Sequence, residues 1–128
     1  MKYSLFLDDI RNPEDVKWVN LPAVSWVIVR DYSQFVAEIV ANGLPSFISF
    51  DHDLAPSHYS DSMMLFQDPY HNQEKTGASC ARWLTQYCDK NNLDIPPYEI
   101  HSMNSIGAQN IKSILESYKK SKQHEKNG

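Results

Sequence analysis

Four short segments of the chain have the length and composition of buried β-strands. They cover residues 3–7, 26–29, 46–50 and 98–102, and they are rich in aromatic and β-branched side chains. Strands that are apolar at almost every position are typical of parallel sheets, which are covered on both faces. The pattern therefore predicts a small, mostly parallel sheet of about four strands.

Three further segments carry apolar residues at helical spacing, and each has a recognisable start. The first helix is predicted to begin after Asp31 and to stop at Gly43, the second opens at Thr76, and the third is capped by Asn104. The apolar face of the third helix ends at Tyr118. The order β-β-α-β-α-β-α predicts an α/β fold with right-handed crossovers.

The 128 residues are enough for one domain, and the pattern divides them into three parts. We expect residues 1–118 to form a single α/β domain. Within it, residues 55–75 lose all periodicity, and a long irregular segment beside polar residues is typical of an inserted loop or a lid. The last ten residues, 119–128, are polar and basic, and we expect them to be disordered.

Charge, hydropathy and cysteine content exclude several classes of protein. The net charge is −4, and because the tail carries +3 the remainder carries −7, so we expect no broad nucleic-acid-binding surface. No apolar segment is long enough to span a membrane, and no signal sequence precedes the acidic residues at positions 8 and 9. Cys80 and Cys88 fall in one predicted helix and cannot reach each other. These features predict a cytoplasmic protein.

Carboxylates follow two of the predicted strands directly. Asp8 and Asp9 come after the first strand, and Asp51 and Asp53 flank His52 after the third. If the two strands are parallel neighbours, the acids meet at one edge of the sheet, where open α/β sheets bind ligands. Like charges that close repel, and a divalent cation such as Mg²⁺ or Mn²⁺ would neutralise them. Adjacent acids can also be helix caps or solvated loop residues.

Two histidines lie at or beyond strand ends. Imidazole can ligate a metal or transfer a proton near neutral pH, so His52 and His101 are candidates for both roles. Each histidine could instead make a structural hydrogen bond.

A second group of residues could hold phosphate. Ser102 and Asn104 precede the last helix, and Thr76 precedes the one before it. A helix N-terminus suits an anion, although each of these residues can equally serve as a cap. Arg11 could hold a phosphate in a bidentate manner, pair with the acids, or simply be solvated.

The motifs of several common enzyme classes are missing from the sequence. It contains no phosphate-binding P-loop, no Gly-x-Gly-x-x-Gly, no Cys-x-x-Cys and no Gly-x-Ser-x-Gly. The sequence therefore lacks the motifs that usually identify a nucleoside triphosphatase, a dinucleotide oxidoreductase, a zinc ribbon or a serine hydrolase.

Four motifs taken together resemble those of the cyclic-phosphate processing receiver-like domain family, a divergent relative of response-regulator receivers. They are Leu-Phe-Leu-Asp-Asp-Ile-Arg-Asn-Pro at 5–13, Phe-Asp-His-Asp-Leu at 50–54, Thr-Gly at 76–77 with Arg-Trp-Leu at 82–84, and His-Ser-Met-Asn-Ser-Ile-Gly-Ala-Gln-Asn-Ile at 101–111. The resemblance covers residues 3–118. It implies a receiver or flavodoxin-like three-layer sandwich that lacks the fifth strand, and a role in processing cyclic phosphates.

The resemblance also implies a site made of the residues in these motifs, which are Asp8, Asp9, Arg11, Asp51, His52, Asp53, His101, Ser102 and Asn104. Asp51 matches the phosphoacceptor position of a receiver. The chain has no lysine at the strand end where a receiver carries one, which argues against phosphorelay signalling. The segment 55–75 is also longer than the corresponding loop of the family.

The sequence leads to one main functional hypothesis, a metal-dependent phosphoesterase that opens 2′,3′-cyclic phosphate RNA ends or cyclic nucleotides. In this hypothesis Asp8, Asp9 and Asp51 hold Mg²⁺ or Mn²⁺. The predicted catalytic residues are His52, His101 and Asp53, and the predicted substrate-binding residues are Arg11, Ser102, Asn104 and Thr76.

Two alternatives remain open on the sequence alone. One is a module that binds a phosphate ligand or cyclic nucleotide without catalysis. The other is a degenerate receiver that acts through a protein partner, with residues 55–75 as the interface.

Overall fold

The computed structural model describes residues 3–54 and 75–127, with side chains through Gln123. The strands are Ser4–Leu7 (β1), Trp26–Val29 (β2), Phe47–Phe50 (β3) and Tyr98–Ile100 (β4). The helices are Tyr32–Asn42 (α1), Gly77–Asn91 (α2) and Ser105–Asn127 (α3), and a 3₁₀ turn covers Pro13–Asp15. The sheet is parallel throughout, in the order β2-β1-β3-β4. The predicted four-stranded, receiver-like α/β fold is confirmed.

The register of the sheet brings the ends of β1, β3 and β4 level with one another. Leu7 pairs with Phe50, and the amide of Asp51 donates to the carbonyl of Leu7 at 3.0 Å. On the other side of β3, the amide of His101 donates to the carbonyl of Phe50 at 2.9 Å. Asp8, Asp51 and His101 therefore occupy equivalent positions at the carboxyl edge of three adjacent strands.

One face of the sheet packs against all three helices. Leu5 and Leu7 of β1 and Ile48 and Phe50 of β3 point to this face, because side chains alternate along a strand. The helices contribute the other members of the same buried cluster, including Phe35, Ile39, Cys80, Leu84, Cys88, Ile111 and Leu115. This core fixes the sheet edge on which the polar residues lie.

The opposite face is arranged differently. Phe6 of β1 lies edge-on to Trp26, which in turn lies edge-on to Phe47. The connection from β1 to β2, at the position where a three-layer sandwich carries a helix, forms only the 3₁₀ turn in this chain.

The predicted helix starts and stops are confirmed by hydrogen bonds. The side chain of Asp31 accepts from the amide of Gln34, and α1 ends at Gly43 with a φ of +80°. The side chain of Asn104 likewise accepts from the amide of Gly107 at 2.9 Å. These caps satisfy amides that have no partner within the helix.

Helix α3 continues to Asn127 and so runs through most of the segment 119–128, for which the sequence predicts disorder. No proline interrupts the helix. Lys122 donates to the side chain of Asn92 at 2.6 Å, which ties the extension to the end of α2. Basic side chains near a helix C-terminus also interact favourably with its dipole.

Other parts of the predicted organisation stay predictions. The proposed insertion at residues 55–75 lies outside the described residues except for Lys75. In the described part of the chain, no helix is both long and apolar enough to cross a membrane.

Helix α2 begins in direct contact with the backbone that follows β3. The amide of Gly77 donates to the carbonyl of His52 at 2.7 Å, and a side chain on Gly77 would collide with the carbonyl oxygen of Asp51. We expect Gly77→Ala to lower the free energy of unfolding by about 2 kcal/mol or more, because backbone atoms cannot move aside without disturbing the sheet. Urea denaturation would measure this change.

The matched control is Gly107→Ala, where the added atom meets the ring of His52 instead of backbone. The ring can rotate and alanine favours the helix, so we expect a loss below about 1 kcal/mol. Equal losses in the two variants would contradict this account of Gly77.

Candidate functional site

A buried group of two carboxylates and one imidazole lies at the carboxyl edge of the sheet. Asp8, Asp51 and His101 have relative exposures of 0%, 4% and 0%. One oxygen or nitrogen atom from each lies within 4.8 Å of the others. Ionisable groups are rarely this buried unless they are paired or bind an ion, so the arrangement is characteristic of a functional site.

Asp8 is held by hydrogen bonds on both carboxylate oxygens. The amides of Ile10 and Arg11 donate to Oδ1 at 3.0 and 2.8 Å, and Nε2 of His101 lies 3.0 Å from Oδ2. Burial alone would raise the pKa of Asp8, but these hydrogen bonds outweigh it and lower the pKa to about 2. Asp8 is therefore a fixed negative charge at neutral pH.

Asp51 has the opposite electrostatic character. Burial raises its pKa, and the neighbouring charge of Asp8 raises it further, while the hydrogen bond from the amide of His52 only partly compensates. The ionised form of Asp51 is therefore unfavourable beside Asp8. A positive charge placed between the two carboxylates would remove this cost.

His101 is held on both sides of its ring. Its Nδ1 lies 2.6 Å from the hydroxyl of Ser49, and Phe6 stacks on the ring with 4.6 Å between centroids. The indole nitrogen of Trp18 donates to the backbone carbonyl of His101 at 2.7 Å. With the imidazole fixed in this way, Nε2 is aimed at Asp8.

The buried group and the predicted metal-ligand set overlap only in part. Asp8 and Asp51 lie together as expected, but the third member of the group in the described residues is His101, which was predicted to be catalytic. Asp9 is half-buried and lies outside this group, although its charge contributes to raising the pKa of Asp51. The two carboxylates that follow β1 therefore have different positions.

A second polar group lies beside the first, at the start of α3. Nδ1 of His52 lies 2.9 Å from Oδ1 of Asp53, and the side-chain amide of Asn104 donates to the same oxygen at 3.2 Å. The hydrogen bond from His52 lowers the pKa of Asp53. The ring of His52 packs against Gly107, where a side chain would collide with the ring in its present orientation. Asp53 and Gly107 together orient this imidazole.

Arg11 borders the buried acids, and its contacts with the other described residues are weak. Its guanidinium lies 3.6 Å from Oδ2 of Asp8, contacts the sulfur of Met103 at 3.6 Å, and lies 5.2 Å from the ring centroid of Trp18. None of these contacts uses the two-pronged hydrogen bonding of which a guanidinium is capable. The group can therefore accept a better anionic partner.

Two further residues of the site were not identified from the sequence. Arg30, at the end of β2, donates to the carbonyl of Asp8 at 3.2 Å, to the carbonyl of Arg11 at 2.5 Å, and to the side chain of Asn12 at 2.7 Å. Ser49 supplies the hydroxyl that contacts His101. In each case the sequence feature that could have identified the residue is a polar side chain within, or directly after, an apolar strand.

Ser102 and Thr76 have local structural roles. The hydroxyl of Ser102 accepts from the amide of Asn104 at 3.1 Å, and the hydroxyl of Thr76 accepts from the amide of Ser79 at the start of α2. Both are cap or turn contacts of the kind that the sequence allowed. Their predicted contacts with substrate stay predictions.

Replacing Asp51 by asparagine tests the electrostatic description of the buried group. In the presence of a chelator at pH 7, we expect Asp51→Asn to raise the free energy of unfolding by about 0.5–2 kcal/mol. Asparagine keeps the acceptor for the amide of His52 and removes the charge that Asp8 opposes.

This advantage should shrink as the pH falls from 7 toward 4. The raised pKa means that folded wild-type protein takes up a proton on Asp51 above the ordinary value of 3.8, so that both proteins then carry a neutral group. Thermal denaturation across this pH range measures the effect, with Asp89→Asn on the exposed side of α2 as control. A variant less stable than wild type at pH 7 would show that the charge of Asp51 is already compensated.

Comparison with known proteins and protein families places the chain in a family. No curated protein and no solved structure is significantly similar to the chain. The family described as the cyclic-phosphate processing receiver domain matches residues 3–117, a span that includes every residue of both polar groups. The match covers most of the chain and confirms the resemblance seen in the motifs. The chain therefore belongs to the cyclic-phosphate processing receiver domain family.

Proposed function

We propose that the protein is a divalent-metal-dependent phosphoesterase that opens cyclic phosphates, either at 2′,3′-cyclic phosphate RNA ends or in cyclic nucleotides. The observation that carries the proposal is the buried group of Asp8, Asp51 and His101, with a second imidazole, His52, next to it in the chain. Membership of a family associated with cyclic-phosphate processing supports the choice of substrate.

The buried group has the donor atoms of a metal site. Asp8 and Asp51 offer carboxylate oxygens and His101 offers Nε2, and the hydroxyl of Ser49 on Nδ1 orients the ring as the outer partner of a metal-bound histidine does. An imidazole among the ligands favours Mn²⁺ over Mg²⁺. When bound, the ion would polarise a phosphoryl oxygen and neutralise negative charge on the phosphate.

The phosphate has a cationic partner beside this site. Arg11 can exchange its weak contacts with Met103 and Trp18 for two hydrogen bonds to phosphate oxygens. The predicted roles of Ser102, Asn104 and Thr76 in substrate binding rest on their positions at helix N-termini, where an anion is favoured.

Proton transfer is assigned to His52. His101 is fully buried with both nitrogens engaged, whereas His52 uses Nδ1 on Asp53 and can present Nε2 to the substrate. A water molecule adds to phosphorus and loses one proton to solvent, while the bond from phosphorus to one ribose oxygen breaks. That oxygen takes up a proton from Nε2 of protonated His52, and solvent returns a proton to the imidazole. The products are a phosphomonoester and a ribose hydroxyl group.

Measurements of metal binding and of turnover distinguish the proposed roles of the two polar groups. We expect Mn²⁺ to bind wild-type protein in calorimetry and Asp51→Asn to lose this binding. We expect His52→Gln to bind Mn²⁺ within about twofold of wild type but to hydrolyse 2′,3′-cyclic nucleotides about 10²–10⁴-fold more slowly, because it loses the proton donor.

Asp89→Asn, remote from the site, should change neither property. The substrate panel should include cyclic dinucleotides and trinucleotides, with Mn²⁺ or Mg²⁺. Saturable binding without any product would identify a non-catalytic ligand-binding module, and the enzymatic proposal would be wrong.

Ser49 offers an independent test of the metal-ligand assignment. Ser49→Ala removes the hydroxyl that orients His101, and we expect about a 10–100-fold weaker affinity for Mn²⁺. Ser105→Ala, at an exposed position in the first turn of α3, is the control. If Ser49→Ala binds Mn²⁺ as tightly as wild type, His101 is not held as a ligand by Ser49.

A further inference from the structure

The most exposed large apolar side chains in the described residues concentrate around the polar site. Ile10, Ile106 and Met103 are 75%, 75% and 68% exposed, and Trp18 is also exposed. Exposed apolar residues scattered singly need no explanation, but a group beside a polar site is typical of a binding surface. We call these four residues the apolar rim.

Two members of the apolar rim contact Arg11, and the other two are neighbours in the chain of residues of the polar site. The sulfur of Met103 and the ring of Trp18 lie against the guanidinium of Arg11. The backbone amide of Ile10 donates to Asp8, and Ile106 directly precedes Gly107, which packs against the ring of His52. Apolar residues of the β1–β2 connection, the loop after β4 and the first turn of α3 thus lie next to groups of the site.

Trp18 is held in place although it is exposed. Its indole nitrogen donates to the carbonyl of His101, and the guanidinium of Arg11 lies over its ring. A ring held in this way loses little conformational entropy when a ligand binds. Because Arg11 contacts Trp18, its side chain belongs both to the proposed phosphate site and to the border of the apolar rim.

We propose that the apolar rim binds the nucleobase of the substrate, so that the natural substrate class is a nucleoside cyclic phosphate and not a cyclic phosphate of a small sugar or alcohol. This inference rests on the proposed function, because it places the phosphate at Asp8, Asp51 and Arg11. Nucleobases have flat apolar faces, and aromatic or aliphatic side chains beside a cationic group bind them without reading their edges. The net charge of −7 over residues 1–118 disfavours an anionic lipid surface as the occupant.

The test compares two ligands that differ only in the base and that the enzyme cannot consume. Adenosine 3′-monophosphate is titrated against 1-O-methylribose 3-monophosphate by calorimetry in the presence of Mn²⁺. We expect the nucleotide to bind about 5–150-fold more tightly, the range that one stacked base contributes.

Variants of the apolar rim assign the preference to its residues. In the double variant Met103→Ser with Ile106→Ser, we expect the preference to fall to about twofold while the affinity for the base-free ligand is unchanged. Val40→Ser, at an exposed apolar position of α1, is the matched control and should keep the full preference. Equal affinity of wild type for the two ligands, or a preference untouched by the double variant, would overturn the inference.

The outcome is separable from that of the proposed function. A base preference without hydrolysis of any cyclic nucleotide supports the apolar rim and refutes the enzyme, whereas hydrolysis without a base preference does the reverse. Failure of both ligands to bind overturns both. A trinucleotide with a 3′-phosphate distinguishes the two sources of substrate, because tighter binding than the mononucleotide indicates an RNA end and equal binding indicates a free nucleotide.

Discussion

The structure depends on one unfavourable contact, the burial of Asp8 and Asp51 side by side at the ends of adjacent parallel strands. The fold stabilises the first carboxylate with two backbone amides and an imidazole, and leaves the second with a raised pKa. A sheet edge with apolar residues at these two positions would give a more stable fold than the two buried carboxylates do. In the proposed function this repulsion is relieved when a cation binds between the two carboxylates, and the proposed roles of the surrounding residues follow from that site.

The two histidines have different proposed roles because His101 is fully buried and His52 keeps a side-chain exposure of 15%. His101 follows β4 and is enclosed by Ser49 and Phe6. In the proposed function it therefore serves as a metal ligand and not as a proton donor. His52 follows β3, one residue beyond the buried acid, and its neighbour Asp53 and the missing side chain of Gly107 set its orientation. Two identical side chains are thus placed in different surroundings, and the proposed functions differ accordingly.

The sequence predicted the strands, the helix caps and the edge of the sheet at which the site lies, since these depend on local patterns. It did not distinguish Asp9 from His101 as a member of the buried group, because strand register decides which side chain turns inward. Arg30 and Ser49 act on residues far away in the chain, and only the tertiary fold reveals such contacts. The hydrogen bond from Lys122 to Asn92, beyond the predicted end of the domain, also joins residues far apart in the chain.

The hydrogen bonds from Arg30 to the loop after β1 have an evolutionary consequence. Two of its three acceptors are backbone carbonyls, those of residues 8 and 11, and a carbonyl is present whatever side chain the position carries. Mutation at position 11 can therefore alter the chemistry of the site while the hydrogen bond from Arg30 to the backbone of the loop is kept. Descendants of this chain could exchange one activity for another on the same frame, provided that they keep the arginine at the end of β2.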